Sequence, residues 1–197
     1  DYASLFGDLA KWVIEVESAD DLPGLVSQAF QTALSARPGP VVLSIPEDIL
    51  QSSTDATAGS QVVPVELEPS DQDMRRIADT FASAERPLVL AGGGGWTNEG
   101  RADLQVFAEK NDLPVVVSFR AHDLMDNTSR CYIGEAGAWM PDSVREALTT
   151  ADLIVAINTR FGEITTSRYS LFGLGDVSTC QQMILHVHAS QDELGKV

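Results

Sequence analysis

The chain has 197 residues, with 13 Lys plus Arg against 29 Asp plus Glu, and a formal net charge of −16. Hydrophobic residues make up 44% and charged residues 21%, which is globular rather than disordered or fibrous composition. The negative charge disfavours nucleic acid and anionic membrane as partners, because both repel acidic surface. The length suffices for one substantial domain with a piece of a second attached. The longest apolar runs, such as Leu153–Ile157, are too short to span a bilayer, and no basic–apolar–small signal peptide opens the chain. Cys131 and Cys180 make neither a disulfide framework nor a metal-ligand spacing, which suits a reducing cytoplasm. With no initiator Met and a start in mid-pattern, the sequence reads as a fragment of a longer protein.

Residues 1–50 read as one unit. Asp20 and Asp21 before Leu22-Pro23 mark a helix start. Leu25, Val26, Ala29, Phe30, Ala33 and Leu34 recur at helical spacing and predict one buried stripe. Arg37-Pro38-Gly39-Pro40 stops that helix, and Val41–Ile45 follows as a short apolar strand of the kind buried on both faces of a parallel sheet. Pro46 ends its ladder. One helix and one strand cannot bury their own faces, so the segment needs partners. Gln51 to Pro69 is rich in Ser, Thr, Gly and Pro and reads as an interdomain linker, with a long surface loop as the alternative.

Residues 70–197 alternate helix and strand. Ser70 can cap a helix with Met74, Ile77, Ala78, Phe81 and Ala82 on one face, ended by Pro87. Leu88–Ala91 makes a buried strand running into Gly92–Gly95. A second helix carries Leu104, Phe107 and Ala108, and Pro114–Ser118 is the next strand. Pro141 opens a short helix with Val144, Ala147 and Leu148 inward. Leu153–Ile157 and Met183–Val187 supply two more strands. This alternation predicts an α/β fold, a Rossmann-like, doubly wound, mostly parallel sheet. The segments Ala33–Leu43 and Ala82–Leu90 both run helix, Arg-Pro, strand, as one joint used twice.

Four glycines directly after a buried strand let backbone approach a ligand closely, beside a helix N-terminus that favours an anion. A structural tight turn is the competing reading. Gly92, Gly94 and Thr97 do not complete G-x-G-x-x-G, and Val117-Ser118-Phe119 stands where a ribose-binding acid is expected, which disfavours an NAD dehydrogenase. His186 and His188 share one strand face but lack a third ligand at suitable spacing, so packing outweighs metal binding. His122-Asp123 follows a strand end and could orient a substrate, although capping its loop is the stronger reading. No nucleophile elbow, P-loop, H-E-x-x-H or C-x-x-C occurs.

Lys11-Trp12, Asp21-Leu22-Pro23, Ala29-Phe30, Ala33, Arg37–Val41 and Ile45–Asp48 resemble the end of the pyrimidine-binding domain of thiamine-diphosphate enzymes, above all the acetolactate synthase large subunit. Leu90–Gly94, Leu113–Val116, Ala151–Ile154, Thr159–Phe161, and His186 with Glu193–Lys196 follow in the order of that family's central domain. The resemblance covers nearly the whole chain. It implies residues 1–50 as the tail of the pyrimidine-binding domain, 51–69 as a linker, and 70–197 as a central Rossmann-like domain incomplete at its C-terminus.

The resemblance implies an intact cytoplasmic enzyme that uses thiamine diphosphate and magnesium, decarboxylates a 2-oxo acid and ligates the product, as a homodimer or homotetramer. The chemistry belongs to the cofactor, oriented by the protein. The activating glutamate and the Gly-Asp-Gly motif of that family fall outside the chain, so no catalytic or metal residue is assigned here. In the central domain the resemblance implies an FAD or ADP site at Gly92, Gly93, Gly94, Gly95, Ser118, Phe119, Gly134, Gly137, Arg160 and Phe161. Several departures oppose a flavin: Gly162-Glu163 and Ile164 replace the acidic pair and arginine after Arg-Phe, and His188 and Ser190 replace acids. FAD, ADP or no ligand therefore stays open. The rival readings are a thiamine-diphosphate-dependent decarboxylase or lyase, and a non-catalytic nucleotide-binding module.

Overall fold

Short apolar segments bounded by proline and glycine dictate short strands, and the computed structural model, which describes residues 1–63, 67–172 and 182–196, contains seven of them. They fall into a two-stranded and a five-stranded sheet. The chain separates into two units, Asp1–Glu68 and Pro69–Val197.

In the first unit, β1 (Trp12–Glu15) pairs in parallel with β2 (Val41–Ser44), with Trp12 opposite Val41 and Glu15 opposite Ser44. Helix α1 (Tyr2–Phe6) is capped by Asp1, which accepts the Ser4 N–H at 3.0 Å. Helix α2 (Leu22–Leu34) has Pro23 in its first turn, where a missing N–H costs nothing. Pro46 caps α3 (Glu47–Gln51), whose first-turn Glu47 and Asp48 favour the helix dipole. The expectation of one helix and one strand is thus corrected by α1, β1 and α3, all too short for a periodic signal.

The stripe expected to be buried along α2 is not: Val26 is 38% exposed, Phe30 58% and Leu34 38%. Two strands about 4.8 Å apart are too narrow to cover a whole helix face. For the same reason β2 is half-buried throughout rather than buried on both faces. Of the segment read as a linker, Gln51 closes α3 and Ala58–Val62 line an apolar groove with Leu22, Val26 and Phe30. Residues 64–66 of that segment lie outside the described residues.

The second unit is a five-stranded, wholly parallel sheet in the order β5-β4-β3-β6-β7. Its strands are β3 (Pro87–Ala91), β4 (Val115–Ser118), β5 (Tyr132–Ala136), β6 (Leu153–Ile157) and β7 (Met183–Val187). Alternate residues of each strand face opposite sides, so two cores form. Leu88, Leu90, Val116, Ile154 and Ala156 pack with Val144 and Leu148 of α6 (Asp142–Thr150). Val89, Ala91, Val115 and Val117 pack with Leu104 and Ala108 of α5 (Asn98–Asn111). Helices therefore cover both faces, and the sheet is doubly wound as expected.

Helix α4 (Asp71–Ser83) is capped by Ser70, which accepts the Asp73 N–H at 3.1 Å. Its predicted apolar face is shallow: Met74 is 51% exposed, and Phe81 makes the contact, edge-on to Phe107 at 5.8 Å. Pro87 does not end α4, which stops at Ser83; it begins β3, where no ladder N–H is needed. Between them the Asp152 carboxylate accepts the N–H groups of Glu85 (2.7 Å) and Arg86 (2.9 Å). The corresponding joint of the first unit uses Lys11 instead, whose Nζ donates to the Ser35 and Arg37 carbonyls. The two Arg-Pro joints share a sequence pattern but not a fastening.

Candidate functional site

The strand order places a topological switch point between β3 and β6. From β3 the chain winds one way through β4 and β5, then returns to the other side as β6 and β7. At such a switch point open α/β sheets bind ligands, in the crevice outside their carboxyl edge. Gly92–Gly95 leave β3 and Asn158–Phe161 leave β6.

Gly92 is buried, and its N–H donates to the Ile157 carbonyl at 3.0 Å, extending the ladder by one residue. A Cβ there would lie 2.0 Å from Ser118 Oγ and 2.7 Å from Thr159 Oγ1. Gly93 has φ +72°, and its Cβ would lie 2.0 Å from the Asn158 carbonyl oxygen. Close approach of the two loops therefore demands glycine at both positions. Trp96 Nε1 donates to the Gly92 carbonyl at 2.8 Å and Asn158 Nδ2 to that of Gly94 at 2.7 Å, fixing the turn. Thr97 caps α5 by accepting the Gly100 N–H at 3.0 Å, so the helix N-terminus opens beside the exposed Gly93–Gly95. That end favours an anion, with Glu99 in the first turn opposing it.

Two hydroxyls converge over Gly92. Ser118 is 6% and Thr159 1% exposed, and Thr159 Oγ1 has no hydrogen-bond partner among the described residues. An unsatisfied buried hydroxyl costs about 1–3 kcal/mol and marks a place for a polar ligand atom or water. Arg160, half-exposed, forms an ion pair through Nε with Glu193 Oε1 at 3.4 Å, and Lys196 Nζ reaches the same oxygen at 3.2 Å.

The other predicted residues spread out from this crevice. Phe119 is half-buried, with the Arg120 guanidinium 5.0 Å from its ring centre, and it lies with Gly137 along the edge formed by β4 and β5. Gly134 lies inside β5 with φ +133°, where a Cβ would meet Val144 Cγ2 at 2.7 Å, so it admits α6 rather than a ligand. Phe161 is buried, edge-on to Phe172 and His186, and is a core residue. Gly92–Gly95, Ser118 and Arg160 are the ones the fold gathers at the switch point. Asn158 and Trp96 join them without having been singled out by motif; Thr159 and Glu193, quoted for the family resemblance but not as site residues, join them as well.

The histidines have backbone or side-chain partners. His186 Nε2 lies 2.9 Å from the Thr159 carbonyl, and burial pushes its pKa down, opposed by that hydrogen bond. The neutral ring donates Nε2–H there and supports the loop that carries Thr159. His188 Nδ1 accepts the Ser190 N–H at 3.0 Å. His122 lies 3.3 Å from both Glu135 Oε2 and Tyr132 OH, and Asp123 pairs with Arg101 at 3.0 Å, so His122-Asp123 fastens its loop. Buried Cys131 belongs to the α5-side core, while Cys180 lies outside the described residues.

A glycine cradle, a helix N-terminus, a buried hydroxyl without a partner among the described residues and a guanidinium surround the switch point, groups of the kind that can hold an anion. Thiamine diphosphate with magnesium does not fit the residues present. No Gly-Asp-Gly occurs, and no group of three His, Cys, Asp or Glu suited to a metal ion is found among the described residues. No step through that cofactor is assigned to this chain.

Known proteins place this architecture. The acetolactate synthase large subunit of Mycobacterium tuberculosis is 29% identical over 185 residues, covering 92% of this chain and 29% of the relative. That of Corynebacterium glutamicum is 28% identical over 189 residues, covering 92% and 29%. The chain thus spans under a third of the length of these relatives. Among solved structures, a thiamine diphosphate-dependent 4-hydroxybenzoylformate decarboxylase from Rhodococcus jostii superposes with TM-score 0.77 at 24% identity, over 100% of this chain and 37% of the other, a likeness of fold. An enzyme from Mycobacterium smegmatis described as thiamin diphosphate-dependent gives TM-score 0.69 at 26% identity, over 81% and 31%. The family model for the central domain of thiamine pyrophosphate enzymes matches residues 74–197, and the chain belongs to that family.

Proposed function

We propose that this chain is part of a thiamine-diphosphate- and magnesium-dependent enzyme that decarboxylates a 2-oxo acid and ligates the product, as acetolactate synthases do. We propose with it that the switch-point crevice of the second unit holds an adenine nucleotide. The observation that carries the first reading is similarity to acetolactate synthases along 92% of the chain, across both units. Thiamine diphosphate, when bound, supplies carbanion stabilisation. Its binding groups would come from segments outside this chain, and the whole enzyme would be a homodimer or homotetramer.

The residues present have a positioning task. Gly93–Gly95 and the first turn of α5 offer N–H groups to phosphate oxygens, and Arg160 offers a planar pair of donors. Ser118 and Thr159 offer hydroxyls beneath them. Ile164, His188 and Ser190 provide neither the acids nor the arginine that the family pattern sets around a flavin, so ADP is favoured over FAD.

The test is to purify the full-length protein containing this chain and assay pyruvate with thiamine diphosphate and magnesium. Acetolactate formation supports the reading. Release of CO2 without a ligated product would move the protein to the decarboxylases. No turnover of any 2-oxo acid would leave a nucleotide-binding module.

A further inference from the structure

Arg160 and Lys196 come from different loops, one after β6 and one after β7, yet both reach one carboxylate oxygen of Glu193. Glu193 is only 9% exposed, whereas the side chains of Arg160 and Lys196 are 51% and 56% exposed. A nearly buried acid with two half-exposed cations is a fixed anchor holding movable groups. Arg160 engages it through Nε, the inner side of the guanidinium, leaving the terminal nitrogens for another partner. Its loop also carries Thr159, whose buried hydroxyl has no partner among the described residues, and Asn158, whose side chain ties down Gly94. The anchored arginine therefore belongs to the rim of the glycine crevice.

We infer that Glu193 is a positioning residue for an anionic ligand: it fastens the β6 and β7 loops together and presents the outer face of Arg160 to the phosphates. This rests on the nucleotide reading above. Charge alone makes the opposite prediction. A carboxylate beside an anion site repels the anion, so neutralising it should tighten binding. Positioning requires that its loss weaken binding, because an unanchored guanidinium must be ordered anew by the ligand. The sign of the effect separates the two.

The experiment is calorimetric titration of ADP into the 197-residue chain and into Glu193→Gln, Arg160→Gln and the double variant. Glu193→Gln should weaken ADP roughly fivefold to tenfold, the scale of one hydrogen bond of ordinary net strength. In the Arg160→Gln background the same change should have no effect, because nothing is left to position. Tighter or unchanged binding by Glu193→Gln alone would overturn the inference. So would equal weakening in both backgrounds, which marks a general structural role. A second measurement does not depend on the nucleotide: the rate at which phenylglyoxal modifies Arg160, read by peptide mass spectrometry. Release from Glu193 should raise that rate several-fold in Glu193→Gln, and an unchanged rate overturns the anchoring. If the unaltered chain binds no ADP while that rate still rises, the anchor stands and the ligand role is refuted together with the nucleotide reading.

Discussion

Replacing Gly92 by alanine tests the close approach of β3, β4 and the β6 loop that forms the floor of the crevice. The new methyl would stand 2.0 Å from Ser118 Oγ, 2.7 Å from Ser118 Cβ and 2.7 Å from Thr159 Oγ1. Rotating the Ser118 hydroxyl relieves the first contact only. Its Cβ is fixed by the backbone of β4, and Ser118 and Thr159 are both buried, so strands must separate. Overpacking of this kind costs about 1–3 kcal/mol, and three simultaneous contacts put it near 3 kcal/mol. At this chain length that lowers the thermal midpoint by roughly 6–12 °C. Urea unfolding followed by tryptophan fluorescence is the suitable assay, because Trp96 bonds to the Gly92 carbonyl and reports on the crevice. Gly94→Ala is the control: nothing lies within 4 Å of its Cβ position, so the change should stay within about 0.5 kcal/mol. Adding Ser118→Gly to Gly92→Ala should restore part of the loss, since the Thr159 contact remains. A Gly92→Ala chain as stable as the unaltered one would refute the packing argument.

Three further outcomes are expected. Burial holds the His186 pKa below its ordinary value of 6.5, so the unfolded chain takes up a proton first. Stability from this group is full above about pH 6.5 and falls as pH drops toward the folded value; urea midpoints between about pH 5 and 7.5 should show this fall, and His186→Gln should reduce it. The Asp152 carboxyl is raised by burial but lowered more by the N–H groups of Glu85 and Arg86, so its folded pKa lies below 3.8. Asp152→Asn should therefore be less stable at neutral pH, with the deficit shrinking as acid protonates the native carboxylate, read from urea midpoints down to about pH 3. Finally, this chain alone, supplied with pyruvate, thiamine diphosphate and magnesium, should release no CO2; turnover would contradict the proposal that the cofactor's binding groups come from segments outside this chain.

Most of the second unit was legible because its elements, β5 excepted, carry a clear local signal. Ser70 and Thr97 cap helices, Leu104 and Ala108 recur at helical spacing, and Leu153–Ile157 is apolar throughout and buried nearly throughout. Strand β5 escaped notice because Gly134 and Glu135 interrupt its apolar run; pairing with β4 makes it a strand. β1 escaped for a similar reason, its pattern lasting only from Trp12 to Val16, where pairing with β2 decides. At the site, Gly92–Gly95 announced themselves by composition and Arg160 by the resemblance of Thr159–Phe161 to the family's pattern. The roles of Glu193 and of the Thr159 hydroxyl, unsatisfied among the described residues, could not be read there, since they arise from residues far away in sequence. Phe161 shows the converse: it is adjacent to Arg160 in sequence, yet its ring lies in the core against Phe172.

Whether the crevice between Gly92–Gly95 and Asn158–Arg160 takes an adenine nucleotide is decided most directly by titrating ADP into the purified chain at low salt, after recording its visible spectrum. The prediction is a colourless protein with one saturable site and a dissociation constant on the order of 10⁻⁴ M, weakened roughly tenfold by Arg160→Ala. A folded chain that gives only heats of dilution up to about 10 mM ADP, or a yellow one carrying a stoichiometric flavin, would contradict it.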